Sequence, residues 1–130
     1  MVLDQRQSVR GEFMTTRDTG YPSERAEPFQ RITAQQAKEM IDRGDVQLVD
    51  VREQSEWDHG HIAGAVLIPV NEILARMSEV ASDKEVIFHC AAGVRSALAC
   101  EMAAAMGHSG LYNMEGGMEV WESLDYPVEK

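Results

Sequence analysis

The sequence predicts an α/β domain built on a mainly parallel β-sheet. Short apolar runs such as Val46–Asp50 and Glu85–His89 lack polar alternation, the mark of strands buried on both faces. Amphipathic or Ala-rich helical stretches stand between them, so strand and helix signals alternate along the chain. The 130 residues fit one domain and suffice to bury a core without disulfide or metal staples.

Residues 1–29 are mostly polar, contain Gly11, Gly20, Pro22 and Pro28, and show no sustained periodicity. They read as a disordered or loosely held tail ahead of a folded domain over 30–130. Met14-Thr-Thr16 has the look of a natural start, which would make Met1–Phe13 an added leader; N-terminal sequencing of the native protein settles this. Regular patterning begins at Phe29. Thr33-Ala-Gln-Gln36 has capping-box spacing, and the helix it opens runs to Arg43 with Ala37, Met40 and Ile41 on one face. Gly44 closes it. Strand Val46–Asp50 follows, then a short helical turn over Glu53–Asp58, a loop over Gly60–Ala65, and strand Val66–Ile68 stopped by Pro69.

Asn71–Val80 reads as a helix and Glu85–His89 as the next strand. Arg95–Met106 is a helix rich in Ala, Leu and Met, closed by Gly107. Leu111–Met114 is a strand, and Gly116-Gly117 introduces a last helix to about Leu124.

The formal net charge of -10 repels phosphate backbones and anionic lipid, so neither nucleic acid nor a membrane is an expected partner. No apolar stretch is long enough to span a bilayer, and the first residues lack the apolar core of a secretory signal. With only Cys90 and Cys100 present, this points to a cytoplasmic, reducing setting.

The chemistry concentrates in Phe88-His-Cys-Ala-Ala-Gly-Val-Arg-Ser96. A buried strand delivers Cys90 to its carboxyl end, where ligand sites lie in open α/β sheets. The small residues Ala91, Ala92 and Gly93 let successive N–H groups curl inward, and the following helix adds its positive end. A thiol at such a focus ionises more readily, and the thiolate is the nucleophile. Arg95 is placed to orient an anionic donor. A lone cysteine after a strand is ordinarily an inert core residue; the surrounding glycine, arginine and helix start favour function here. Cys100, inside an apolar helix, reads as core. His89 precedes Cys90 on a strand and must point the other way, which argues against a Cys–His pair. His59, His61 and His108 form no recognisable metal set.

Cys90-Ala-Ala-Gly-Val-Arg-Ser96 resembles the active-site loop of rhodanese domains. Leu48-Val-Asp-Val-Arg-Glu53 and Glu56-Trp-Asp-His-Gly-His-Ile-Ala-Gly-Ala65 are similar to two upstream signatures of that family, and Gly116-Gly-Met-Glu-Val-Trp121 to the start of its last helix. Four motifs in order cover about residues 30–128. The resemblance implies a five-stranded parallel sheet flanked by helices on both faces. It also implies a sulfurtransferase: Cys90 takes a sulfane sulfur from a donor such as thiosulfate, and cyanide or a thiol removes it. On that mapping the amides of Ala91, Ala92, Gly93, Val94 and Ser96 cradle the persulfide and Arg95 binds the donor. Asp50, Arg52, Glu56 and His61 brace neighbouring loops, and Trp57 and Trp121 pack. No metal or organic cofactor is implied, and a protein persulfide partner is compatible.

Two rivals stand beside this. Cysteine phosphatases of related fold carry a C-x5-R loop, whose arginine would fall where this chain has Ser96; the shorter loop suits a single sulfur better than a phosphate. Non-catalytic domains of the same family serve as binding or regulatory modules, often without the cysteine that is kept here.

Overall fold

The structure, a computed structural model, describes residues 26–130. Five strands form one parallel sheet: β1 (Gln30–Ile32), β2 (Val46–Asp50), β3 (Val66–Leu67), β4 (Glu85–His89) and β5 (Leu111–Met114). Their spatial order is β1-β5-β4-β2-β3, which puts β4 at the centre. Asp50 pairs in register with His89, and Phe88 with Asn113, so the carboxyl ends of β2, β4 and β5 converge on one edge.

The helices are α1 (Ala34–Arg43), α2 (Gln54–Asp58), α3 (Val94–Ala105) and α4 (Gly117–Ser123). The α1 capping box is formed: Thr33 Oγ1 accepts the Gln36 N–H at 3.0 Å and Gln36 Oε1 accepts the Thr33 N–H at 2.9 Å. Gly44 closes the helix in the left-handed region at φ 83°. Helices cover both faces of the sheet. On one side Ala34, Ala37 and Met40 of α1 and Met118 and Trp121 of α4 pack on Leu48 and Ile87. On the other, Ala99, Cys100 and Ala103 of α3 pack with Ile73 and Met77 on Val49, Val86 and Phe88. Alternating strand residues therefore feed two cores.

Two features differ from the reading of individual residues. Asn71–Val80 is not an α-helix but two 3-10 turns, Val70–Glu72 and Met77–Glu79. Ile73, Met77 and Val80 are buried at the helical spacing that suggested one. The segment is pinned instead by Arg76, whose guanidinium bonds Glu72 and Glu79 and reaches Leu67 O. The second feature is β1, legible only through the family resemblance. It is three residues long, and Gln30 and Arg31 are exposed, so it carries no apolar run. The expected tail lies outside the described residues as far as residue 25; Phe29, at its end, is buried in the core beside α3.

Candidate active site

The central strand β4 ends at His89, and Cys90 begins the loop into α3. Gly93 caps that helix at φ 104°, a conformation that favours glycine. A Cβ at this position would also come within 3.3 Å of the Gly116 amide nitrogen, so the loop and the start of α4 pack backbone against backbone. The Gly93 N–H donates to Cys90 Sγ at 3.1 Å. Ser96 Oγ lies 3.5 Å from the same sulfur. The sulfur thus faces the amides of the loop and the amino end of a 12-residue helix. Cys90 itself is only 1% exposed.

Burial pushes the Cys90 thiol up, but the Ser96 hydroxyl and the amides of Ser96, Gly93 and Ala92 together outweigh it, and the thiol lies below its ordinary value. Cys100 has no such cradle. It is fully buried in α3, and burial pushes its thiol up to about 12.

The loop is held from two sides. Met118 N–H donates to Cys90 O at 2.8 Å and Glu119 N–H to Ala91 O at 3.0 Å, so the first turn of α4 takes up two loop carbonyls. Gly117 has to be glycine for this: a Cβ there would overlap the Cys90 carbonyl. From β5, Asn113 is fully buried; its Oδ1 accepts from the Ser96 hydroxyl and its amide nitrogen donates to Gly93 O at 3.2 Å. Asn113 was not among the residues singled out from the sequence. Its signal was a polar side chain inside the apolar strand Leu111–Met114.

Of the remaining loop residues, Ala91 is half-buried, Ala92 is exposed and Val94 is 78% exposed at the rim. Arg95 stands there too, but its guanidinium faces a carboxylate: Nη1 donates to Glu56 Oε1 at 2.8 Å and Nη2 to Glu56 Oε2 at 2.9 Å. The Arg95 hydrogen bonds hold the Glu56 carboxyl at about 2 despite partial burial. Glu56 Oε1 also accepts the Glu53 N–H at 2.8 Å, which caps α2. One carboxylate therefore joins α2 to the Cys90 loop, through a partner, Arg95, that the sequence reading did not name.

Asp50 and Arg52 form a buried pair, with Arg52 Nε and Nη2 on the Asp50 carboxylate at 2.7–3.0 Å and Nη2 also on Gly60 O at 2.8 Å. This ties the end of β2 to the loop after α2. His61 stacks on Trp57 with ring centroids 3.7 Å apart, and its backbone N–H donates to Glu129 O at 2.8 Å. Neither Asp50 nor His61 bonds the cysteine loop. Beside the Glu56–Arg95 pair an open cleft of about 390 Å³ is lined by Arg52, Ser55, Glu56, His59, Gly60 and Glu122. Among the described residues no group of His, Cys, Asp and Glu is placed to hold a metal ion, and no helix is long and apolar enough to cross a membrane.

The Rhodanese-like domain family matches residues 33–124. The chain belongs to that family. A sulfurtransferase of Allochromatium vinosum is 34% identical to this rhodanese-like chain over 92 residues, 71% of the chain and 86% of the relative. The thiosulfate sulfurtransferase GlpE of Glaesserella parasuis is 32% identical over 103 residues, 79% and 95% of the two. An uncharacterized Bacillus subtilis protein, YqhL, is 40% identical over 75 residues, and the match spans 60% of its length. Among solved structures, a rhodanese-related protein from Thermoplasma volcanium superposes with a TM-score of 0.72 at 33% identity, covering 78% of this chain and 98% of that one. The five-stranded parallel sheet with flanking helices is the rhodanese fold, and the chain has sulfurtransferases among its relatives.

Proposed function

We propose that this domain is a sulfurtransferase in which Cys90 carries the sulfur as a persulfide. The observation that carries the reading is the Gly93 N–H aimed at Cys90 Sγ at 3.1 Å, at the amino end of α3. The Cys90 thiolate attacks the outer sulfur of a donor. With thiosulfate, the new Sγ–S bond forms as the donor S–S bond breaks, and the electron pair leaves on sulfite. The terminal sulfur then bears the negative charge within the cradle of amides from Ala91 to Ser96. Cyanide or a thiolate attacks that outer sulfur, leaves as thiocyanate or a new persulfide, and returns the Cys90 thiolate. None of these steps needs a metal or an organic cofactor. Arg95 supplies positive charge at the rim, while Asp50, Arg52 and His61 hold the surrounding loops. A cytoplasmic location and a protein-borne persulfide as donor or acceptor fit the two unpaired thiols.

Mass spectrometry after incubation with thiosulfate and with a hydropersulfide tests this. The expected result is a gain of one sulfur atom that Cys90→Ser abolishes. No adduct with any donor would favour the binding-module reading instead. Phosphatase activity is not favoured, because Ser96, where the C-x5-R arginine would stand, is buried against Asn113.

A further inference from the structure

Arg95 would be the natural hand for a dianionic donor, yet it is already engaged. Both terminal nitrogens lie on the two Glu56 oxygens, in the bidentate geometry that an incoming oxyanion would need. The next arginine along this edge, Arg52, is buried and holds Asp50 side-on through Nε and Nη2. The surroundings add negative charge, not positive: exposed Glu119 lies on the turn of α4 that bonds the loop, and exposed Glu122 lines the cleft shared with Glu56. Val94, 78% exposed at the rim, is apolar. A charge of -10 over the whole chain deepens the same field.

From this we infer that Glu56 sets which sulfur donors the Cys90 loop accepts, by holding Arg95 in a two-bond ion pair that turns dianions away and leaves the site to donors of little net charge. The inference rests on the sulfurtransferase reading and names the donor class within it: hydropersulfides on neutral or amine-bearing carriers, in preference to thiosulfate. Glu56 is a positioning residue, since it acts through Arg95. For the favoured donor the step balances simply. Cys90 Sγ bonds the outer sulfur of the donor, the donor S–S bond breaks, and the carrier leaves as its thiolate, which takes a proton from solvent.

The test compares thiosulfate, a dianion, with cysteamine hydropersulfide, which is neutral overall when its sulfur is ionised. Glu56→Gln removes the charge but keeps a side-chain oxygen to accept the Glu53 N–H, so α2 stays capped. In that variant kcat/KM for thiosulfate is expected to rise about tenfold, with little change for cysteamine hydropersulfide. The sign of the salt effect is the sharper readout. The wild-type thiosulfate rate should be flat or increase with ionic strength, whereas the variant rate should decrease, because a freed Arg95 then attracts the dianion. A packing role for Glu56 would not reverse that sign. Unchanged or lower thiosulfate efficiency in a variant with a normal thermal melt overturns the inference while leaving the sulfurtransferase reading intact, provided that cysteamine hydropersulfide still loads Cys90. Failure of both donors to load Cys90 in the wild-type chain overturns both.

Discussion

Asn113 holds Ser96 from beneath the Cys90 loop. Its side-chain oxygen accepts the Ser96 hydroxyl, and its amide nitrogen, turned towards Gly93 O and Glu115, fixes that orientation. Ser96 has one hydroxyl hydrogen and two neighbours able to take it, Asn113 Oδ1 and the sulfur 3.5 Å away. When Cys90 is a thiol, its own S–H can point at Ser96. On ionisation the thiolate competes with Asn113 for the hydroxyl hydrogen. Replacing Ser96 with Ala should therefore raise the Cys90 thiol pKa, read from thiolate absorbance against pH. It should also destabilise the fold by about 1–3 kcal/mol, because a buried amide oxygen loses its partner. An unmoved thiol pKa would mean that the backbone amides and Arg95 hold the thiolate without help from the Ser96 hydroxyl.

The two thiols should differ sharply in reactivity. Cys90 lies below its ordinary value and Cys100 at about 12, so limited alkylation of the native protein near neutral pH should modify Cys90 almost exclusively. Peptide mapping checks this. Cys100→Ser should leave turnover near normal; loss of activity with an unchanged melt would point to a resolving thiol.

Arg95→Ala leaves Glu56 as an uncompensated carboxylate at the rim. Thiosulfate efficiency should fall at least tenfold, since the field at the mouth becomes more negative. The pair is about a third exposed, so the loss of stability should stay within about 1 kcal/mol. Steady-state kinetics beside a thermal melt separate the two effects, and unchanged thiosulfate kinetics would remove Arg95 from donor handling.

His89 gives the fold a sensitivity to acid. It is wholly buried on the far side of β4 from the Cys90 sulfur, and neither ring nitrogen has a hydrogen-bond partner. Burial pushes it down to about 4; the Asp50 carboxylate, 3.7 Å away, opposes this and Arg52 reinforces it. Below its ordinary value of 6.5 the unfolded chain takes up a proton that the folded chain refuses. Stability should therefore fall as the pH drops from 6.5 towards 4, by up to about 3 kcal/mol, and this contribution should level off below that window. His89→Leu should flatten the slope in urea titrations across that range. An identical slope in the variant would assign the acid sensitivity to other groups.

Gly117→Ala should disrupt the site as well as the fold. The added methyl overlaps the Cys90 carbonyl, and φ at this residue is 53°, which disfavours a side chain. The expected outcome is a loss of more than about 2 kcal/mol, together with a raised Cys90 thiol pKa as the loop is pushed off α4. A stable variant with an unchanged thiol would show that the two N–H bonds from α4 do not set the loop.

Much of this protein is written locally. The Thr33–Gln36 capping box, the apolar strands 46–50 and 85–89, and the glycines at 44, 93 and 116–117 each encode their geometry within a few residues. So does the Cys90 loop, because a thiol, three small residues, an arginine and a helix start stand consecutively. The motif order made the family recognisable. What escaped was whatever depended on distant partners. Three-residue β1 forms only because β5 offers it an edge, and the Asn71–Val80 segment breaks into 3-10 turns where Arg76 reaches out of it to Leu67 O and the Gln47 side-chain amide takes up Glu79 O and the Ala81 N–H. The identity of the Arg95 partner was likewise open, since 39 residues separate it from Glu56. Residue types and spacing fix which groups are present at the mouth of the site; only the folded chain decides which charges neutralise one another there, because Coulomb energy depends on distances across the sheet edge and not along the sequence.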